Sequence, residues 1–100
     1  MVHTETVDFE WDERKYQINK FKHGVSFEEA VEAFDDPMAV RLLDVRHSTP
    51  KEEREILLGR VTHGVLVVVF TIRQPGGRIR IISARRANRK ERRLYEEQEN

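Results

Sequence analysis

The sequence predicts an α+β domain, and three observations carry the prediction. A helix with a clear start signal lies in the first third. A series of apolar and β-branched segments, separated by tight turns, fills the middle. A highly charged helix closes the chain, so helices and strands fall in separate runs rather than in alternation. One hundred residues make one small domain, 1–100, with disordered tails expected at 1–6 and 98–100.

Residues 7–11 are a short strand candidate. Asp12 then reads as a helix N-cap, with Trp11 and Tyr16 placed to form a hydrophobic staple across it. That helix runs to about His23 and stops at Gly24, a residue suited to the left-handed position after a helix. Ser26 and Glu29 form an S-x-x-E capping box for a second helix. Phe27, Ala30, Val31 and Phe34 make its apolar stripe, and Asp35-Asp36-Pro37 ends it. Residues 38–43 are a strand candidate, and 44–51, polar and containing Pro50, read as a loop.

A meander follows. Residues 54–61 form a strand, 62–64 a turn, and 65–72 a central strand apolar on both faces. Gln74-Pro75-Gly76-Gly77 is a second turn, and 78–84 the last strand. Asn88, with Glu91 three residues on, caps the final helix. This helix has only Leu94 and Tyr95 as sizeable apolar residues, so weak packing or support from a partner is expected.

A net charge of zero hides an asymmetry: residues 1–50 carry −5 and residues 51–100 carry +5. Residues 73–93 hold nine basic side chains against one acid, Glu91. Such a block suits a phosphate-bearing partner, or else a solvated helix. Alternation in the last strand puts Ile79 and Ile81 on one face and Arg78 and Arg80 on the other. Arg85 and Arg86 follow, pointing opposite ways if the strand continues. Arg89, Arg92 and Arg93 then share one side of the final helix. Strand face and helix together would line a basic groove. The chain has no cysteine, which rules out disulfides and thiolate chemistry. It shows no apolar leader, and its longest apolar run, 65–70, is too short to cross a bilayer. A cytoplasmic protein with no membrane partner is therefore expected.

The segments FEWDERKYQINKFKHGVSFEEAVEAFDDP at 9–37, HSTPKEER at 47–54 and RIRIISARRANRKERRLYEE at 78–97 resemble, in order and spacing, the BrnT family. These are small bacterial toxins of type II toxin–antitoxin systems. The resemblance covers about 7–97. It implies a RelE-like fold: two N-terminal helices packed on an antiparallel sheet of about four strands, plus a C-terminal helix. It also implies a ribonuclease that cuts RNA without a metal or other cofactor and stops translation. The implied partner is a BrnA-type ribbon-helix-helix antitoxin, through which the pair would bind operator DNA.

Metal-independent cleavage drives the 2′-hydroxyl onto the adjacent phosphorus. It requires a base, an acid for the leaving oxygen, and positive charge on the phosphate. Histidine suits proton transfer near neutrality, and arginine grips two phosphate oxygens at once. Arg80 and Arg85 are the first candidates for phosphate, with Arg78 and Arg86 next and Arg89 on the helix. His23 is the first candidate for general acid or base, with Lys22 beside it for phosphate; the alternative is a histidine that bonds the last carbonyls of its helix. His47 is the rival, on a loop that leads to Arg54; its alternative is a loop-capping role. Glu53 would serve as a base if a neighbouring arginine kept it ionised, and is otherwise structural. Tyr95 would stack on a base or anchor its helix, with the anchor favoured; Trp11 and Tyr16 read as core. No carboxylate pattern suggests a metal site. Two other readings share these residues: a nucleic-acid-binding module without catalysis, and an interaction protein whose basic helix docks its antitoxin.

Overall fold

The computed structural model describes residues 8–98. Of the tails expected at 1–6 and 98–100, residues 1–6 and 99–100 lie outside this range; Gln98 is described, as the C-cap of the last helix.

Strand β1, Phe9–Trp11, leads into helix α1, Glu13–His23. The Asp12 carboxylate accepts from the N–H groups of Arg14 at 2.8 Å and Lys15 at 3.3 Å, which satisfies donors that the first turn leaves free. Trp11 and Tyr16 meet across this cap with ring centroids 5.8 Å apart. Gly24 ends the helix at φ 70°, where a side chain would be strained. Helix α2, Phe27–Ala33, begins at Ser26, whose hydroxyl accepts from Glu29 N–H at 3.0 Å. The reciprocal half of the expected capping box gives way to tertiary structure, because the Glu29 carboxylate holds Arg86 at 3.0 Å.

β2, Val40–Leu43, β3, Arg54–Val61, β4, Gly64–Arg73, and β5, Arg78–Arg86, make an antiparallel meander. β1 joins it in parallel along β5, pairing Phe9 with Ile79 and Trp11 with Ile81. The sheet is thus five-stranded and mixed, in the order β1-β5-β4-β3-β2, and not a four-stranded antiparallel one. The reason lies in sequence distance. A parallel partner needs a long crossover, so β1 and β5 pair from opposite ends of the chain with no turn to announce it.

Alternation sorts the two faces. Leu57, Leu66, Val68, Phe70, Ile81 and Ala84 meet Phe27, Ala30 and Ala33 of α2 in the main core. Phe34 bridges Phe9 and Phe70 with both centroid distances at 5.1 Å. Gly59 marks the closest approach of helix and sheet, since a Cβ there would lie 2.6 Å from the Ala33 carbonyl oxygen. On the opposite face, helix α3, Arg89–Glu97, covers Leu58, Val65, Val67 and Ala87 through Tyr95. Asn88 and Glu91 form the full capping box expected for it. Leu94 stays exposed, so the weak packing foreseen for this helix rests on a single aromatic anchor.

Beyond the end of β1, the free edge of β5 is closed by a side chain. Buried Asn19 of α1 accepts from Ala84 N–H at 3.1 Å and donates to Ala84 C=O at 2.8 Å, in place of a neighbouring strand.

Candidate active site: a cationic groove on the α3 face

A groove of about 430 Å³ opens on the sheet face that also carries α3. Ile56, Val67 and Val69 make its floor, and His47, Arg54 and Arg85 rise around it with Arg46 and Ser83. The register of β5 explains how Arg85 reaches this face. Val69 pairs with Ser83 but Phe70 pairs with Ile81, so Ile82 is an extra residue, a β-bulge. Arg80 lies opposite Thr71 and Arg85 opposite Val67, and these two β4 residues share one face. Strict alternation would have set Arg80 and Arg85 on opposite faces; the bulge brings them to the same one. Arg86 turns to the α2 side.

Three of the groove's basic side chains are held by carboxylates. Arg85 forms a two-pronged pair with Glu91 at 2.8 and 2.7 Å. That pairing holds the Glu91 carboxyl below its ordinary range and raises the guanidinium of Arg85 further. The same Glu91 oxygen accepts from Asn88 N–H at 2.8 Å, so the cap of α3 and the orientation of Arg85 share one side chain. Arg54 pairs with Glu52 at 3.0 Å. His47 Nδ1 lies 3.0 and 3.1 Å from the two carboxylate oxygens of Asp44, which is only 9% exposed, while the His47 ring is open to solvent. An ionised carboxylate only accepts, so Nδ1 is the donor of this contact, and in the neutral ring the free lone pair lies on Nε2.

The remaining candidates stand elsewhere. Arg80 and Arg78 both bind Glu10 of β1, at 2.8 and 3.2 Å, and Arg80 in particular keeps the Glu10 carboxyl below its usual range. Arg80 is therefore on the groove's face but at its β1 side, outside the lining. Arg89 is exposed on α3. Glu53 is exposed beside Lys51 and Arg73, outside the groove lining, and it is Glu52 that meets Arg54. Lys22 and His23 border a second cavity of about 220 Å³ along α1, whose lining includes neither Arg54 nor Arg85. Tyr95 is 1% exposed, donates its hydroxyl to Asp36, and has the Arg60 guanidinium 5.3 Å from its ring centroid. It is an anchor, with no ring face left for a base. Among the described residues, no three His, Asp or Glu side chains are grouped as metal ligands would be.

Asp44, Arg46 and Ser83 belong to the groove without having been marked by the sequence. Asp44 and His47 are three residues apart, a spacing that brings side chains together only on a helical turn. The stretch expected to be plain loop contains such a turn, a 3₁₀ segment at Val45–His47.

The span 11–91 matches the family described as "Ribonuclease toxin, BrnT, of type II toxin-antitoxin system". The chain belongs to the BrnT family. That span contains every residue of the groove and also Glu91. Membership in BrnT makes this a ribonuclease toxin with RNA as its target and a protein antitoxin as its partner. No individually curated protein matches the chain. Among the described residues, no helix of this BrnT protein is long and apolar enough to cross a membrane.

Proposed function

We propose that this BrnT protein is an endoribonuclease that cuts RNA in the α3-face groove without a metal. What supports the site is one observation: His47, Arg54 and Arg85 come from three separate segments and line one cavity. His47, steadied by Asp44, takes the proton of the 2′-hydroxyl through Nε2. Arg54 and Arg85 hold the non-bridging oxygens and offset the charge that builds on the pentacovalent phosphorus. The new bond is 2′-oxygen to phosphorus, the bond to the 5′-oxygen breaks, and the leaving 5′-oxygen takes its proton from solvent. The products are a 2′,3′-cyclic phosphate and a 5′-hydroxyl end.

On this reading His47 takes the role for which His23 was the first candidate, and Arg85 and Arg54 take the phosphate. Arg80 and Arg78 continue the same face toward β1, while Arg86 lies on the α2 side. The arrangement is RelE-like, the cellular outcome is a stop in translation in the cytoplasm, and the partner is a BrnA-type ribbon-helix-helix antitoxin that carries the complex to operator DNA. The test is cleavage of single-stranded RNA in excess chelator, with the ends mapped. Cyclic phosphate ends from the wild type, and their loss from folded His47→Ala and Arg85→Ala proteins, are expected. Full cleavage by both variants would place the chemistry elsewhere, and activity that vanishes with chelator would overturn the metal-free mechanism.

A further inference from the structure

Helix α1 turns the wrong residues outward for an ordinary surface helix. Its buried residue is Asn19, while Phe21 is 95% exposed and Ile18, one turn before it, 56%. An amphipathic helix normally does the reverse. Ile18 stands among Lys15, Lys22 and His23, and Phe21 adjoins that group along the helix, next to Lys22 in the chain and one turn after Ile18. Among the described residues the side chains of Lys15, Lys22 and His23 have no hydrogen-bond or salt-bridge partner, whereas Arg54, Arg85 and Arg86 each pair with a carboxylate of their own and Arg78 and Arg80 share that of Glu10. The end of α1 therefore presents uncompensated positive charge beside an exposed aromatic ring.

Its position relative to the groove is equally specific. Lys15, Ile18, Lys22 and His23 face Ile82 and Ser83 across the small cavity at the end of α1. Ile82 and Ser83 also line the groove that holds His47 and Arg85. The two cavities thus back onto the same bulged pair of β5 residues, at the stretch of edge that Asn19 closes and no strand covers. A chain lying in the groove has only this edge to cross before it meets α1.

We propose that α1 carries a second RNA subsite, in which Lys15 and Lys22 hold the phosphate of a nucleotide flanking the cut and Phe21 stacks on its base. This rests on the nuclease reading of the groove. Unneutralised cations select a polyanion, and a solvent-exposed ring next to them suits any base, since every base has a π face. Stacking of this kind is tolerant of sequence, so the subsite adds affinity and register rather than base preference.

The experiment measures binding of a 2′-O-methyl RNA oligonucleotide of about eight nucleotides, which spans a site of this kind and lacks the attacking hydroxyl. Phe21→Ala should weaken binding about tenfold, and Phe21→Trp should restore it. Lys15→Ala with Lys22→Ala should weaken it further and flatten its dependence on salt. Phe21 is exposed, so thermal melts should show the Ala variant folded as the wild type is. Unchanged affinity for Phe21→Ala, alongside clear loss for Arg85→Ala, would overturn the subsite and leave the nuclease reading standing. Unchanged RNA affinity with weakened antitoxin binding would also overturn it and assign the ridge to the protein partner. A wild type that does not bind the oligonucleotide would sink the subsite and the groove reading together.

Discussion

Asp44→Asn isolates the proposed proton-transfer group from the rest of the fold. The change removes one oxygen that faces His47 Nδ1 and puts an amide in its place. An amide that donates to Nδ1 selects the tautomer with the proton on Nε2, which then cannot act as a base. The loop should survive. Asp44 N–H donates to the Arg54 carbonyl at 2.8 Å, and the Asp44 carbonyl accepts from Ser48 Oγ at 2.7 Å; both are backbone contacts that asparagine keeps. His47 is largely exposed, so the pair contributes less than about 1 kcal/mol to stability. The catalytic effect should be larger. General acid–base catalysis accounts for about 10²- to 10⁴-fold, and an imidazole left in the wrong tautomer should forfeit about a hundredfold of it, or roughly 3 kcal/mol of barrier. The assay is single-turnover RNA cleavage by Asp44→Asn, His47→Ala and the double variant, with melting curves in parallel. The double variant should be no slower than His47→Ala, because Asp44 acts only through His47. Cleavage by Asp44→Asn within about threefold of wild type, or an added loss in the His47→Ala background, would refute the dyad.

Three further outcomes follow from the same structure. Gly59→Ala drives a Cβ to within 2.8 Å of Ala33 Cβ and closer still to its carbonyl oxygen, neither at the end of a flexible side chain, so calorimetry should show a loss of about 1–3 kcal/mol, or roughly 5–20 °C in Tm; an unchanged melt would mean that α2 sits further from β3 than described. Tyr95→Phe should flatten the acid limb of the stability curve. Burial pushes the Asp36 carboxyl up, but the Tyr95 hydroxyl and the N–H groups of Arg60 and Met38 outweigh it and hold it below its usual range. A carboxyl lowered by folding stabilises fully above the unfolded range, about pH 4, and loses that contribution as the pH falls through its folded value, so removing the hydroxyl should shrink the drop measured by urea melts on either side of that pH. Glu91→Gln keeps an acceptor for Asn88 N–H but gives up the charge that fixes Arg85; the helix should stay, with about 1 kcal/mol lost at this part-buried, two-pronged pair, while RNA cleavage falls and the Arg85→Ala variant loses nothing more when the two are combined.

Much of the local structure was legible along the chain. Asp12, Ser26 and Asn88 mark the helix starts because capping is a contact within four residues, and Gly24 marks a stop for the same reason. The three long strands of the meander read directly from β-branched runs and turn residues. The parallel β1, the use of Glu29 for Arg86 rather than its own cap, and the Asn19 contact with Ala84 were not legible, since each joins residues far apart in sequence.

The site divides along the same line. By itself, the sequence determined the material: a basic C-terminal half, two histidines beside basic residues, and an order of segments that marks the BrnT family. Which of those side chains meet was decided only in the folded chain. One turn of 3₁₀ helix brings His47 to Asp44, and one extra residue at Ile82 sets Arg85 beside Arg54 rather than across the sheet from it. Alternation along a strand is a local rule, but whether a strand bulges depends on how its neighbour registers against it, and that is settled by packing.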